Sequence, residues 1–255
     1  MQRFASMTVE RQENVQWQEY SDAHCHLNLF KDPIAVLGRA REKGVGLVIT
    51  AGGSEKDSVE SARLASVEQA FAVIGVGPDF AARDAGFVGS IERMIKENMK
   101  IVGIGEIGLD AKAAEKNGME LQKKVFEEQA AIAKRLDLPI VIHCRGMLEE
   151  VIGIIDSVGT SKAMFHFFDG DEKQAVELSG RGFFISIPPA LTSKRKRVIK
   201  EVSLSSLVVE TDSPVVGRAP DDVIEVCREI AGMKGVALEE VAAKTTENIR
   251  RLFSI

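Results

Sequence analysis

Four histidines and a few carboxylates carry most of the chemistry available to this 255-residue chain. His24 and His26 stand two apart in Ser21-Asp22-Ala23-His24-Cys25-His26. In an extended chain that spacing turns both imidazoles to one side and Cys25 to the other, so the two rings can converge on one ion. His143 closes the run Pro139-Ile-Val-Ile-His143, and His166 closes Met164-Phe165-His166. Imidazoles alone leave a cation's charge uncompensated, so carboxylates are expected beside them. Glu106, in Gly103-Ile-Gly-Glu106-Ile-Gly-Leu-Asp110, and Asp212, in Val208-Val-Glu210-Thr-Asp212-Ser-Pro214, are the candidates. These six groups exceed what one four-coordinate ion with an open water position takes, and they suit two ions sharing a bridging group. Glu210 either orients a ligand from behind or pairs with a buried lysine or arginine.

Residues 24 and 212 can meet only if the fold joins the two ends of the chain. Eight β-branched and aliphatic runs recur, each followed by a polar or glycine-containing turn and then helical periodicity. They are Glu19–His24, Gly46–Thr50, Phe71–Val76, Lys100–Gly105, Pro139–His143, Ala163–Phe167, Phe183–Ile187 and Leu207–Glu210. The intervening segments, such as Leu121, Val125, Ala130, Ile132, Ala133 and Leu136, place apolar residues on one helical face. Apolar strands joined by helical crossovers imply a parallel sheet, and eight repeats at this length favour closure. The predicted fold is of the α/β class, a single (β/α)8 TIM barrel over residues 19–255, with residues 1–18 an extension packed on it. Functional side chains of such barrels gather at the C-terminal ends of the strands. All four histidines fall at predicted strand ends, which scattered core or surface histidines would not do.

Composition narrows the function from the other side. The chain is 45% hydrophobic and 28% charged, and no apolar run approaches the about 20 residues that cross a bilayer. Met1 to Tyr20 mixes charges with scattered apolar residues and lacks the apolar core of a signal peptide, so the expected location is the cytoplasm. Cys25, Cys144 and Cys227 show no CxxC spacing and are expected to be reduced thiols. A net charge of −5 argues against a broad electrostatic footprint for nucleic acid, though a local basic patch is compatible with it. No stable protein partner is evident.

Five ordered motifs, Asp22-Ala-His24-Cys-His26, Gly105-Glu106-Ile-Gly-Leu-Asp110, Ile142-His143-Cys-Arg145, Phe165-His166-Phe and Glu210-Thr-Asp212-Ser-Pro214, resemble the TatD-related metal-dependent hydrolases of the amidohydrolase superfamily. The closing segment from Glu239 to Phe253 is similar to that family's final helix. The resemblance implies two divalent ions, with His24, His26 and Asp212 holding one, His143 and His166 the other, and Glu106 bridging. It implies hydrolysis of a phosphodiester, with DNA as the family's usual substrate, by a water whose proton Asp212 accepts. Mixed nitrogen and oxygen ligands suit Zn²⁺, Mn²⁺ or Co²⁺, with Mg²⁺ less at home among imidazoles. The alternative is an ester or amide hydrolase acting on a small molecule or an aminoacyl-tRNA through the same activated water.

The wall around this floor departs from the family pattern. Gly77, in Gly75-Val-Gly77-Pro78-Asp79, stands where members often carry a histidine. Ala111-Lys112 replace an aromatic stretch, and Phe167-Phe168-Asp169-Gly170 replace a small polar one. Lys112 is read either as a substitute phosphate contact or as a solvated lysine. Arg145 is expected either to grip a phosphate oxygen or to pair with a barrel carboxylate. The run Lys194-Arg195-Lys196-Arg197 reads as a solvated helix face or as a phosphodiester-attracting patch. Phe80, Phe167 and Phe168 either shape a substrate pocket or belong to the core. Trp17 and Tyr20 precede the mouth, so base stacking finds little support in the sequence.

Overall fold

The computed structural model describes residues 20–67 and 69–255. The predicted extension, residues 1–18, together with Glu19, lies outside the described residues. The barrel itself is present. Its strands are β1 (Tyr20–Cys25), β2 (Val45–Gly52), β3 (Ala70–Ile74), β4 (Ile101–Asp110), β5 (Ile140–Arg145), β6 (Ala163–Phe165), β7 (Phe184–Ile187) and β8 (Leu207–Val209). They form one sheet in sequence order, every neighbouring pair parallel. The seam between first and last strands is sewn just beyond β8. Asp212 N–H donates to the His24 carbonyl at 2.9 Å, and His26 N–H donates to the Ser213 carbonyl at 2.8 Å. Three of the candidate ligands, His24, His26 and Asp212, therefore also close the barrel.

Eleven α-helices surround the strands among the described residues: α1 (Pro33–Glu42), α2 (Glu55–Leu64), α3 (Ala81–Asp84), α4 (Val88–Glu97), α5 (Ala114–Asn117), α6 (Met119–Arg135), α7 (Leu148–Val158), α8 (Glu172–Gly180), α9 (Ser193–Glu201), α10 (Val223–Lys234) and α11 (Leu238–Phe253). Local chemistry starts and stops them. Ser54 accepts from Asp57 N–H at the head of α2, and Asp171 and Gln174 form a reciprocal capping box at α8. Gly159 and Gly235 end α7 and α10 in the left-handed conformation. No helix among the described residues is long and apolar enough to cross a membrane.

Two apolar layers hold the barrel. Alternate strand residues point inward, Leu47, Ile49 and Ala51 of β2 meeting Val73, Val102, Val141, Met164, Phe184 and Val208. Ile249, Leu252 and Phe253 of α11 join that interior cluster. Asn248 donates to the carbonyls of Leu204 and Leu207, at 2.8 and 2.7 Å, which ties α11 to the start of β8. The last helix thus plugs the N-terminal end of the barrel, and the C-terminal end is left to the loops.

The main departure from the predicted strands is β4, which runs through Glu106 to Asp110 instead of ending at Gly105. Its register against β5 shifts between Ile104 and Ile107, so Glu106 sits inside a strand irregularity. Glycines permit the close passage. A Cβ on Gly105 would stand 2.6 Å from Val141 Cβ, and one on Gly108, where φ is +140°, would stand 2.0 Å from the His143 carbonyl oxygen. In contrast β6 and β8 stop at Phe165 and Val209, short of the predicted Phe167 and Glu210. His166 and Glu210 still donate their N–H groups to Ile142 and Ile187 carbonyls, which extends the ladder without strand geometry.

Replacing Gly108 by alanine therefore forces backbone apart directly beneath the site. We expect Gly108→Ala to lose roughly 3 kcal/mol of stability, read as a lowered midpoint in urea unfolding.

Candidate metal centre at the barrel mouth

His24 lies in β1 and His26 just after it, and the two-residue spacing brings their Nε2 atoms within 3.3 Å. Asp212 reaches the pair across the seam, its Oδ1 lying 3.3 Å from His26 Nε2 and 3.7 Å from His24 Nε2. Glu106 arrives from β4, with Oε2 3.7 Å from both nitrogens. Donor atoms set tetrahedrally about 2.1 Å from a cation stand about 3.4 Å apart, which is close to this spacing. His26 Nδ1 lies 3.1 Å from the Ala51 carbonyl, an acceptor only. In the neutral ring that contact fixes the proton on Nδ1 and leaves an Nε2 lone pair facing the cluster. These four donors fit a divalent cation.

The other oxygen of Glu106 faces the second pair of histidines. Oε1 is 2.7 Å from His143 Nδ1 and 3.3 Å from His166 Nε2. Each of these imidazoles has a carboxylate behind it. Asp110 Oδ2 lies 3.0 Å from His143 Nε2, and Glu210 Oε2 lies 3.4 Å from His166 Nδ1. Glu210 is fully buried, and its Oε1 accepts the Phe167 N–H at 2.6 Å. Glu210 stands behind His166, and no lysine or arginine forms an ion pair with it among the described residues. Asp110, the last residue of the Glu106 motif, occupies the equivalent place behind His143. Its other oxygen, Oδ1, accepts the Lys112 and Ala113 N–H groups, at 2.7 and 3.0 Å.

Charge follows this layout. Burial and the neighbouring His166 hold His24 well below the ordinary imidazole range. Burial also opposes charge on His143 and His166, but the adjacent carboxylates outweigh it. Asp110 and Glu106 raise His143 to about 9, and Glu210 and Glu106 raise His166 well above its usual value. Conversely, burial works against ionised Glu106, yet His166 and His143 draw it well below the ordinary carboxylate range. The His143 hydrogen bond lowers Asp110 to about 2.

A second buried carboxylate locks the seam. Asp22 Oδ1 accepts the N–H groups of His24 and Thr211, at 3.2 and 2.9 Å, and Oδ2 accepts the Thr211 hydroxyl at 2.5 Å. Asp22 thereby fixes the backbone on either side of His24 and Asp212. Asp212 itself adopts φ +48°, a left-handed conformation that aspartate tolerates better than most side chains. The sequence signal for Asp22 was its place two before His24 on the same strand face.

The rim departs further from expectation. Arg145 is exposed, and its guanidinium lies 3.9 Å from Asp110, a long contact with a barrel carboxylate. The basic run heads α9 with Lys196 and Arg197 exposed, as a solvated face requires, but Arg195 departs from it. Arg195 is buried, donates to the Phe168 and Ala190 carbonyls, and stacks 4.2 Å from the Phe167 ring centroid. Lys194 and Arg197 pair with Asp169 and Glu172. Helix periodicity turns one residue of any four inward, and here Phe167 supplies a face for its guanidinium. Phe80 and Phe167 line the mouth, while Phe168 packs edge-on to Phe165 in the core. Lys112 is exposed. The cysteines are free.

The model of the TatD related DNase family matches residues 21–254. The chain belongs to this family. It is 31% identical to the uncharacterized metal-dependent hydrolase YabD of Bacillus subtilis (strain 168), over 92% of this chain and 98% of that protein. It is 30% identical to the human deoxyribonuclease TATDN3, over 91% of this chain and 93% of that protein. The crystal structure of YJJV, a TatD homolog from Escherichia coli k12, superposes with a TM-score of 0.87 at 25% identity, covering 92% and 98% of the two chains. At Gly77, where the resemblance leads one to expect a histidine, a Cβ would stand 3.4 Å from the backbone oxygens of both Gly53 and Glu106. A side chain at Gly77 would therefore stand beside Glu106 and Gly53 at the edge of the cluster.

The charge layout is open to test in chelator-treated protein. NMR of the ring carbons is expected to show His143 titrating near the value of about 9 and His24 staying neutral through the neutral range. The His143 value lies above the ordinary 6.5, so its charge stabilises this form fully below pH 6.5, and that stability is lost as pH rises through about 9. Asp110→Asn should lower the His143 titration. A His143 midpoint at or below the ordinary value would contradict the layout.

Proposed function

We propose that this TatD-family hydrolase cleaves phosphodiester bonds with two divalent ions, of which Zn²⁺, Mn²⁺ and Co²⁺ suit the mixed nitrogen and oxygen donors better than Mg²⁺. The observation that carries the reading is Glu106, whose two oxygens face two different histidine pairs. His24, His26 and Asp212 are assigned to one ion, His143 and His166 to the other, and Glu106 to both. Bound ions would lower the pKa of an attacking water toward 7 and neutralise charge at the attacked centre.

The remaining work falls to the chain's own groups. Asp212 accepts the proton of the attacking water as oxygen adds to phosphorus. Asp110 and Glu210 hold His143 and His166 from behind, so that the nitrogens facing Glu106 keep their direction. Arg145, exposed at the mouth, is placed to grip a phosphate oxygen. The P–O bond opposite the water breaks, leaving a phosphomonoester and an alcohol. The names of relatives, human deoxyribonuclease TATDN3 among them, support the phosphodiester over the ester or amide alternative.

An assay of the protein loaded in turn with Zn²⁺, Mn²⁺, Co²⁺ and Mg²⁺ on phosphodiester, carboxylic ester and lactam panels separates these readings. Turnover should be confined to phosphodiesters, and its absence with every metal would sink the proposal. Asp212→Asn should lower kcat by about 10²–10⁴-fold with an unchanged circular dichroism spectrum. Retained turnover would remove Asp212 from the mechanism.

A further inference from the structure

The mouth above the metal cluster is a cavity of about 710 Å³, within the range of pockets that enclose a small molecule. Its walls are poorly suited to a polynucleotide. A groove for a nucleic-acid strand lines up cations along successive phosphates. Here the cationic lining consists of Arg145 and the buried Arg195, while the carboxylates Asp57, Asp79 and Asp169 line the same mouth. Of the rest of the basic run on α9, Lys194 donates to the Asp169 carbonyl at 2.7 Å and Arg197 to Glu172 at 3.1 Å, and the exposed Lys196 is not on the lining of this mouth.

In place of cations the rim carries apolar surface. Leu29, Val215 and Val216 are 52%, 63% and 39% exposed and line the mouth. Phe80 and Phe167 stand on the same lining, each with a guanidinium over its ring, Arg83 at 4.8 Å and Arg195 at 4.2 Å. A Cβ on Gly53 would lie 3.8 Å from the Phe80 ring and 4.0 Å from Glu106 Oε2, so this aromatic borders the metal cluster itself. Phe167 is held in the left-handed region, φ +46°, by the N–H that it gives to Glu210. A bulky side chain rarely adopts that conformation, and here it fixes an aromatic directly after His166.

We infer that the substrate is a compact phosphodiester bearing a planar apolar group seated against Phe167 and Phe80, such as a dinucleotide, and not the interior of a long nucleic-acid strand. The inference rests on the phosphodiester reading above and narrows it to a substrate class. One phosphate meets Arg145 and the centre, and the flat group gains its affinity from stacking, which is sequence-tolerant and insensitive to salt.

The test compares the metal-loaded enzyme on a deoxydinucleotide and on a single strand of about twenty nucleotides. The dinucleotide should match or exceed the strand in kcat/KM per molecule. The logarithm of kcat/KM should fall with the logarithm of salt concentration at a slope of about −1, as for one or two phosphate contacts. Phe167→Ala should raise the KM for the dinucleotide by about 10-fold with kcat nearly unchanged, and Phe167→Tyr should restore it. By calorimetry Phe167→Ala should weaken a mononucleotide by a similar factor while leaving inorganic phosphate unaffected. A strand favoured 10-fold or more with a salt slope of several units would overturn the inference and leave the phosphodiester reading standing. An unchanged KM and mononucleotide affinity in Phe167→Ala would likewise overturn it. No phosphodiester turnover at all would overturn both.

Discussion

A carboxylate buried among four imidazoles is the constraint around which this barrel is arranged. Glu106 is removed from most water, and a buried anion without compensation costs several kcal/mol. Compensation comes from His143 and His166 on one oxygen, while the His24 and His26 nitrogens face the other. Those residues come from β1, β5 and the positions just beyond β1 and β6, and β4 must pass closely beside β5. Gly105 and Gly108 make that passage possible, and the shifted register of β4 against β5 is where Glu106 enters. The geometry of one strand therefore serves the charge balance of the whole centre.

The centre is assembled at a cost in stability. His24 Nδ1 is buried without a hydrogen-bond partner among the described residues, worth about 1–3 kcal/mol against folding, and the buried pair His166 Nδ1 and Glu210 Oε2 stand 3.4 Å apart, too long for a good hydrogen bond. Asp212 and Phe167 add left-handed backbone at two strand ends. What offsets these terms lies elsewhere: the apolar layer inside the strands, the C-terminal plug of Ile249, Leu252 and Phe253, and the Asp22 clasp across the seam. Rigid apolar packing below and polar frustration above is the division expected of a barrel whose loops carry function.

Floor and wall differ in what constrains them. The floor brings His24, His26, Glu106, His143, His166 and Asp212 to the spacing that a cation's ligands need. The wall has only to fit a substrate, and it is there that Gly77, Phe167 and Asp169 stand. Arg195 shows how such a change is absorbed, since a guanidinium stacked on Phe167 and bonded to two carbonyls loses its role as a free cation. A wall rebuilt with apolar groups and self-paired charges changes what is held against the floor without disturbing the floor itself.

Alternation and periodicity were enough to read the fold and the candidate ligands, because both are local signals. A period of two put His24 and His26 on one side of a strand, and apolar runs of five or six residues put all four histidines at strand ends. The barrel rule then gathered them at one rim. Partnership between distant elements was not legible. Asp22 meets Thr211 across 189 positions, Asp110 stands behind His143, and Arg195 turns from an apparent surface charge into a buried support for Phe167. Strand limits at β4 likewise depended on how closely its glycines could approach β5. Residue type and spacing determined which groups could bind a cation. Only tertiary packing decided which carboxylate stands behind which imidazole and which charges remain free, because hydrogen bonding and desolvation depend on neighbours that the chain supplies from far away.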